Sequence, residues 1–158
     1  MATAVDLSTA GIQVAYAVEA TAGTKPTTGW TKFTGIKSIP DFNPEPSSLE
    51  TTTLDATEYR TYIPGLKDVG GAVAYTANMT EQFQTEWDTL MAAYKAAAAD
   101  GKALWITHIV PGLTKSFFYK GEPSPLGFSA VDTDSVFEVD AYIAPTQIEG
   151  WGTKPTLT

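Results

Sequence analysis

With 158 residues, a net charge of −8 and a pI of about 4.5, the chain is long enough for one hydrophobic core, and one domain over residues 1–158 is expected. Its ten basic residues are scattered singly, which excludes an electrostatic footprint for gripping nucleic acid, and the absence of cysteine excludes disulfide frameworks, thiolate metal sites and thiol chemistry. The start, MATAVDLSTAG, has neither the basic residues nor the apolar block of a secretory signal, and no apolar run approaches a membrane span, so assembly in a cytosol with no membrane partner is expected.

Residues 11–19 alternate, with Ile12, Val14, Tyr16 and Val18 on one face and Gln13, Ala15, Ala17 and Glu19 on the other, which predicts a half-buried strand. A Thr- and Gly-rich loop over 21–29 leads to a second, irregular strand at 30–39, broken at Gly35. Pro40, Pro44 and Pro46 then hold the chain extended.

A long arm follows at about 41–71. Leu49 to Leu54 carry a β-branched run suited to a strand edge, but Tyr59, Tyr62, Ile63 and Leu66 fall in a segment with no helical or strand period. Pro64-Gly65 reads as a turn and Gly70-Gly71 as a second break. Six acidic residues against Arg60 and Lys67 give the stretch 41–68 a net charge of −4, half the chain's total. Loops this long are usually functional, and exposed apolar side chains need a partner. Either the aromatics fold back on their own domain or the arm docks on another copy, and the run of apolar residues without a period favours the second.

After the arm, residues 69–79 alternate as a strand, with Val73, Tyr75, Ala77 and Met79 facing one way. Thr80 is a suitable N-cap for a helix over 81–99, whose stripe of Phe83, Trp87, Leu90, Met91 and Tyr94 must pack on a sheet; Asp100-Gly101 ends it. Strands are predicted at 103–110, 115–120 and 136–143, the last with Phe137, Val139, Ala141 and Ile143 on one face and Val136, Glu138, Asp140 and Tyr142 on the other. The tail, 145–158, reads as extended and as a candidate contact element.

No catalytic or cofactor constellation emerges. His108 is the only histidine and lies inside an apolar strand, with no nucleophile or carboxylate at a motif spacing. Asp132-Thr133-Asp134 lacks the glycine and distal Glu of a calcium loop and reads as a turn. The glycines around Lys67 precede a strand, not a helix, so nucleotide binding is rejected. Trp87 and Trp105 sit in core-like positions, which disfavours a sugar-stacking platform. No enzyme activity, metal or cofactor is expected.

The order of elements, with Leu49-Glu50-Thr51-Thr52 and Tyr62-Ile63-Pro64-Gly65-Leu66-Lys67-Asp68 in a proline-framed arm, resembles the major tail proteins, or tail tube proteins, of long-tailed bacteriophages. The likeness spans most of the chain and is most specific in the arm. There an acidic Thr-rich run leads to Pro-Gly-Leu, and Asp68-Val69-Gly70 stands where the family ends Asp-Gly. The resemblance implies a mainly β fold, sandwich or barrel-like, with one flanking helix, assembled as stacked hexameric rings into a hollow virion tail tube made in the host cytoplasm. Its partners would be further copies of itself, tail-tip and tail terminator proteins, and the tape measure protein and genomic DNA in the lumen, bound without sequence preference. Leu49, Leu54, Tyr59, Tyr62, Ile63, Pro64 and Leu66 would make the contacts between subunits or rings. Glu138 and Asp140, with Thr76 and Asn78, are the candidates to line the lumen; the alternative is that these faces meet bulk solvent. Two other readings stay open: the inner tube of a contractile tail or injection device, and a β-sandwich binding or decoration module.

Overall fold

The computed structural model describes residues 6–68 and 71–157. Among them nine strands and one helix are formed: β1 (Gln13–Val18), β2 (Thr31–Lys32), β3 (Ile36–Ser38), β4 (Pro46–Glu50), β5 (Tyr62–Lys67), β6 (Val73–Asn78), α1 (Glu81–Ala99), β7 (Leu104–Ile109), β8 (Lys115–Pro123) and β9 (Glu138–Thr153). Seven of the strands make one antiparallel sheet in the order β2-β1-β7-β8-β9-β6-β3, curled into a half-barrel, while β4 and β5 pair only with each other. The mainly β, barrel-like architecture with a single helix is the expected one.

The helix is set by its ends and its stripe. Thr80 caps it by accepting from the Phe83 amide at 3.1 Å, and Gly101, at φ +71°, turns the chain out of it. Phe83, Trp87 and Leu90 are fully buried against Val14, Tyr16, Tyr75, Leu104, Ile106 and Tyr119 on one face of the sheet. The Trp87 indole donates to the Ser124 carbonyl at 2.9 Å, which pins the loop after β8 to the helix.

Several expectations are corrected. The first strand is buried on both faces: Ala15 and Ala17 pack in a second cluster with Trp30, Trp105 and Phe118. Alanine contributes little to an apolar period, so the alternation hid a covered face; here small side chains leave room for Trp30 to fold over. The predicted second strand splits in two. β2 pairs with β1 at one edge of the sheet and β3 with β6 at the other, so the chain crosses under the helix between them, with the Phe33 ring 5.7 Å from that of Trp87 and Thr34 bonded to Glu86.

The last strand does not stop at 143. β9 continues to Thr153 along β8, so most of the tail is extended as read but is paired within the chain's own sheet, and only the end remains, with Leu157 bridging to Trp30. Pro145 is tolerated because β9 leaves β6 at the Val73–Ile143 pair and has one neighbour thereafter. Of the strand predicted over 69–79, Val69 and Gly70 lie outside the described residues.

Buried polar groups lock the far face. The Glu19 carboxylate is 2% exposed and accepts from the Ala103 amide at 2.8 Å, the Gly23 amide at 3.1 Å and the Trp105 indole at 3.0 Å. Burial pushes this carboxyl up, but those three donors and the nearby Lys120 outweigh it and hold Glu19 below the usual range.

Candidate functional site

The arm is a β-hairpin, where the sequence showed no strand period. Leu49 faces Ile63, Ser48 faces Pro64 and Glu50 faces Tyr62, with a register shift near Pro46. Pro64-Gly65 therefore lies inside β5 and not in a turn; the bend is at the tip, where the Ala56 amide donates to the Thr53 carbonyl at 3.1 Å. Proline fits because both strands of a two-stranded ribbon are edges. The Thr run closes the tip: the Thr51 amide donates to the Thr61 carbonyl at 2.8 Å, the two hydroxyls lie 2.9 Å apart, and the Thr61 amide donates to Thr52 Oγ1 at 2.9 Å. The Thr53 hydroxyl bonds Asp55 and holds its carboxyl below the usual range.

The hairpin thus satisfies its backbone internally while its apolar side chains stay wet. Leu54 is fully exposed, Leu66 is 92% exposed, and Leu49, Tyr59, Tyr62 and Ile63 are all exposed as well. Both ribbon faces carry them, since cross-strand partners Leu49 and Ile63 share one face and Tyr62 lies on the other. A two-stranded ribbon is at best marginal alone in water.

The four polar candidates on the sheet come together. The β6–β9 register sets Thr76 opposite Asp140 and Asn78 opposite Glu138, one face of two neighbouring strands. Thr76 Oγ1 donates to Asp140 at 3.1 Å. Glu138 is bonded to Lys37 from the approach to the arm, so the strip is less acidic than its sequence implied, and Asp140 is its one carboxylate without a cation among the described residues. The opposite faces of the same strands carry Tyr75, Ala77, Val139, Ala141 and Ile143 into the core.

His108 is structural. Burial lowers its pKa to about 4, and its Nε2 lies 2.6 Å from the Tyr75 hydroxyl, which is in turn 2.6 Å from that of Tyr119. The Tyr75 hydroxyl thus bridges the Tyr119 hydroxyl and the neutral imidazole, giving each of these buried polar atoms a partner. No carboxylate among the described residues orients the ring, so the arrangement is a buried relay without a nucleophile. Asp132 to Ser135 form a turn, with Asp134 at φ +60°.

A second exposed apolar group was missed by the sequence reading: Phe128, Val131, Val136 and Phe137, with the two phenylalanine rings 5.4 Å apart, beside a cleft of about 580 Å³ at the start of α1. Val136 and Phe137 were read as the start of an alternating strand, but β9 begins only at Glu138, which leaves both in the preceding loop and exposed; Phe128 and Val131 carry the arm's signal of large apolar residues without a period.

No protein-family model matches this chain, and no curated protein matches it in sequence. Among solved structures, it is similar to a chain of the six-fold symmetrised cryo-EM structure of the anti-feeding prophage baseplate, with a TM-score of 0.58 over 98% of this chain and 99% of that one. Identity is 8%, so the likeness is one of fold.

Proposed function

We propose that the chain is a structural subunit of a phage tail or related injection device, polymerising as stacked hexameric rings into a hollow tube. The observation that carries the reading is the end-to-end match in fold to a component of a six-fold prophage baseplate. The exposed arm supports it independently. If its apolar side chains bury on a neighbour, each contributes about 1.5–3 kcal/mol, and six arms per ring make assembly strongly cooperative. In this reading Leu49, Leu54, Tyr59, Tyr62, Ile63, Pro64 and Leu66 form the contact between subunits or rings.

The strip of Thr76, Asn78, Glu138 and Asp140 faces the lumen, where small and acidic side chains repel a passing phosphate backbone. Closing the open edges at β2 and β3 against neighbouring subunits removes the unpaired strand edges that otherwise invite aggregation. The role is that of a conduit, with no turnover. Its setting is the virion tail, with tail-tip, terminator and tape measure proteins as partners.

The neighbour's place in a prophage baseplate favours, as the second reading, the inner tube of a contractile tail or injection device. A sheath protein co-purifying with native particles would select it over a non-contractile tail tube.

Negative-stain electron microscopy across concentration, paired with sedimentation velocity, tests the proposal. Rings or tubes with sixfold end views are expected. A monomer that stays monodisperse at high concentration, even with tail-tip complex added, would count for a binding or decoration module instead. Limited proteolysis adds a second readout: residues 51–61 are cut in the free subunit and protected in the tube.

A further inference from the structure

The arm's apolar side chains have no home in their own chain, and an apolar cleft opens beside the arm's root. The cleft, of about 380 Å³, lies at the end of the sheet where β7 finishes and β8 begins, lined by Ile39, Phe42, His108, Val110, Phe117 and Trp151. Phe117 and Trp151 meet edge to face at 5.8 Å, and Trp151 is exposed. Ile39, Pro40, Phe42 and Asn43 form one wall, and the chain runs from them into the root of the arm.

Charge distinguishes cleft from arm. Lys115 lies on the same sheet face as Phe117 by strand alternation, opposite Thr153, and makes no ion pair among the described residues. At the arm tip Arg60 lies 3.9 Å from Glu50, which leaves Asp55 and Glu58 without a cation among the described residues.

We propose that this cleft is the socket for the arm tip of a second copy, with Tyr59 entering among Phe42, Phe117 and Trp151 while Asp55 and Glu58 face Lys115. The inference rests on the tube reading and specifies its contact. Tyrosine suits the role: it buries a large area at small entropic loss, and Asn43 at the rim offers its hydroxyl a polar partner. A chain cannot fill its own socket. An extended strand rises about 3.3 Å per residue, which sets the tip roughly 25 Å from the root that walls the cleft. Tip and socket are different surfaces, so in the ring of the tube reading the contact runs head to tail from one subunit to the next.

The chain has no cysteine, so introduced ones report unambiguously. Thr57→Cys in the tip and Asn43→Cys at the rim, made in separate proteins and mixed, are expected to form a disulfide-linked pair under assembling conditions. Thr57→Cys mixed with Lys95→Cys on α1 is expected to form none. Trp151→Ala, checked for an unchanged circular dichroism spectrum, raises the critical concentration for assembly at least roughly tenfold. Rings or tubes that form without the disulfide between positions 57 and 43, or with equal linking to position 95, overturn the socket and leave the tube reading standing. Failure of the unmodified protein to assemble, alone or with tail-tip complex, takes down both.

Discussion

The seven-stranded sheet and the arm hairpin are built from similar residue types and reach opposite ends of burial. In the sheet and the helix packed on it, Tyr75, Tyr119, Phe83 and Trp87 are fully buried, and the hydroxyls and indole find partners. In the arm, Tyr59, Tyr62, Ile63 and Leu66 meet water although the Thr hydroxyls tie its backbone together as tightly. Hydrogen bonding fixes the shape of both; burial separates an element that stabilises its own chain from one that, in the proposed function, serves another copy. Substitutions in the sheet should therefore change stability, and substitutions in the arm should change assembly.

The largest effect is expected at Trp87→Ala, which removes a buried ring and its bond to Ser124, costing about 3–5 kcal/mol in chemical denaturation. An equal loss from Tyr62→Ala would erase the distinction between the two regions. Next, Glu19→Ala leaves three buried donors unpaired, and about 3 kcal/mol is expected, with most of the loss retained in Glu19→Gln, which can accept only through one oxygen.

Acid should act on the sheet through His108. Its folded pKa of about 4 lies below the ordinary 6.5, so the fold favours the neutral ring. The unfolded chain binds the proton first, and stability falls as pH drops from about 6.5 towards 4, by about 3 kcal/mol at most. Urea midpoints across that window check this, and His108→Gln should flatten the slope.

Smaller again are the arm variants. Tyr62→Ala and Leu66→Ser should shift monomer stability by no more than about 0.5 kcal/mol, as surface changes do, while sharply reducing polymer formation seen by sedimentation. Least of all, Lys37→Ala breaks an exposed ion pair with Glu138 and should cost under about 1 kcal/mol. It sharpens the comparison by leaving the strip's charge more negative without touching the arm.

The helix was legible in the sequence to its ends, because capping and the stripe of Phe83, Trp87 and Leu90 are local facts about neighbouring residues. The strands around Val14, Ile106 and Val139 were legible too, and so was the sharing of one face by Glu138 and Asp140, since a strand's period of two is local as well. The arm's exposed residues were found by their lack of any period. Its hairpin was not, because two-sided exposure removes the alternation that would have revealed it.

What only the tertiary structure decided are the pairings between distant segments. The fold of Trp30 over Ala15, the separation of β2 and β3 to opposite edges, the run of β9 to Thr153, Lys37 on Glu138 and the meeting of Phe42, His108 and Trp151 at one cleft all join residues far apart in the chain. Local propensity and period carry no record of such contacts; they exist once the sheet's register brings the segments together, because register fixes which distant side chains share a face.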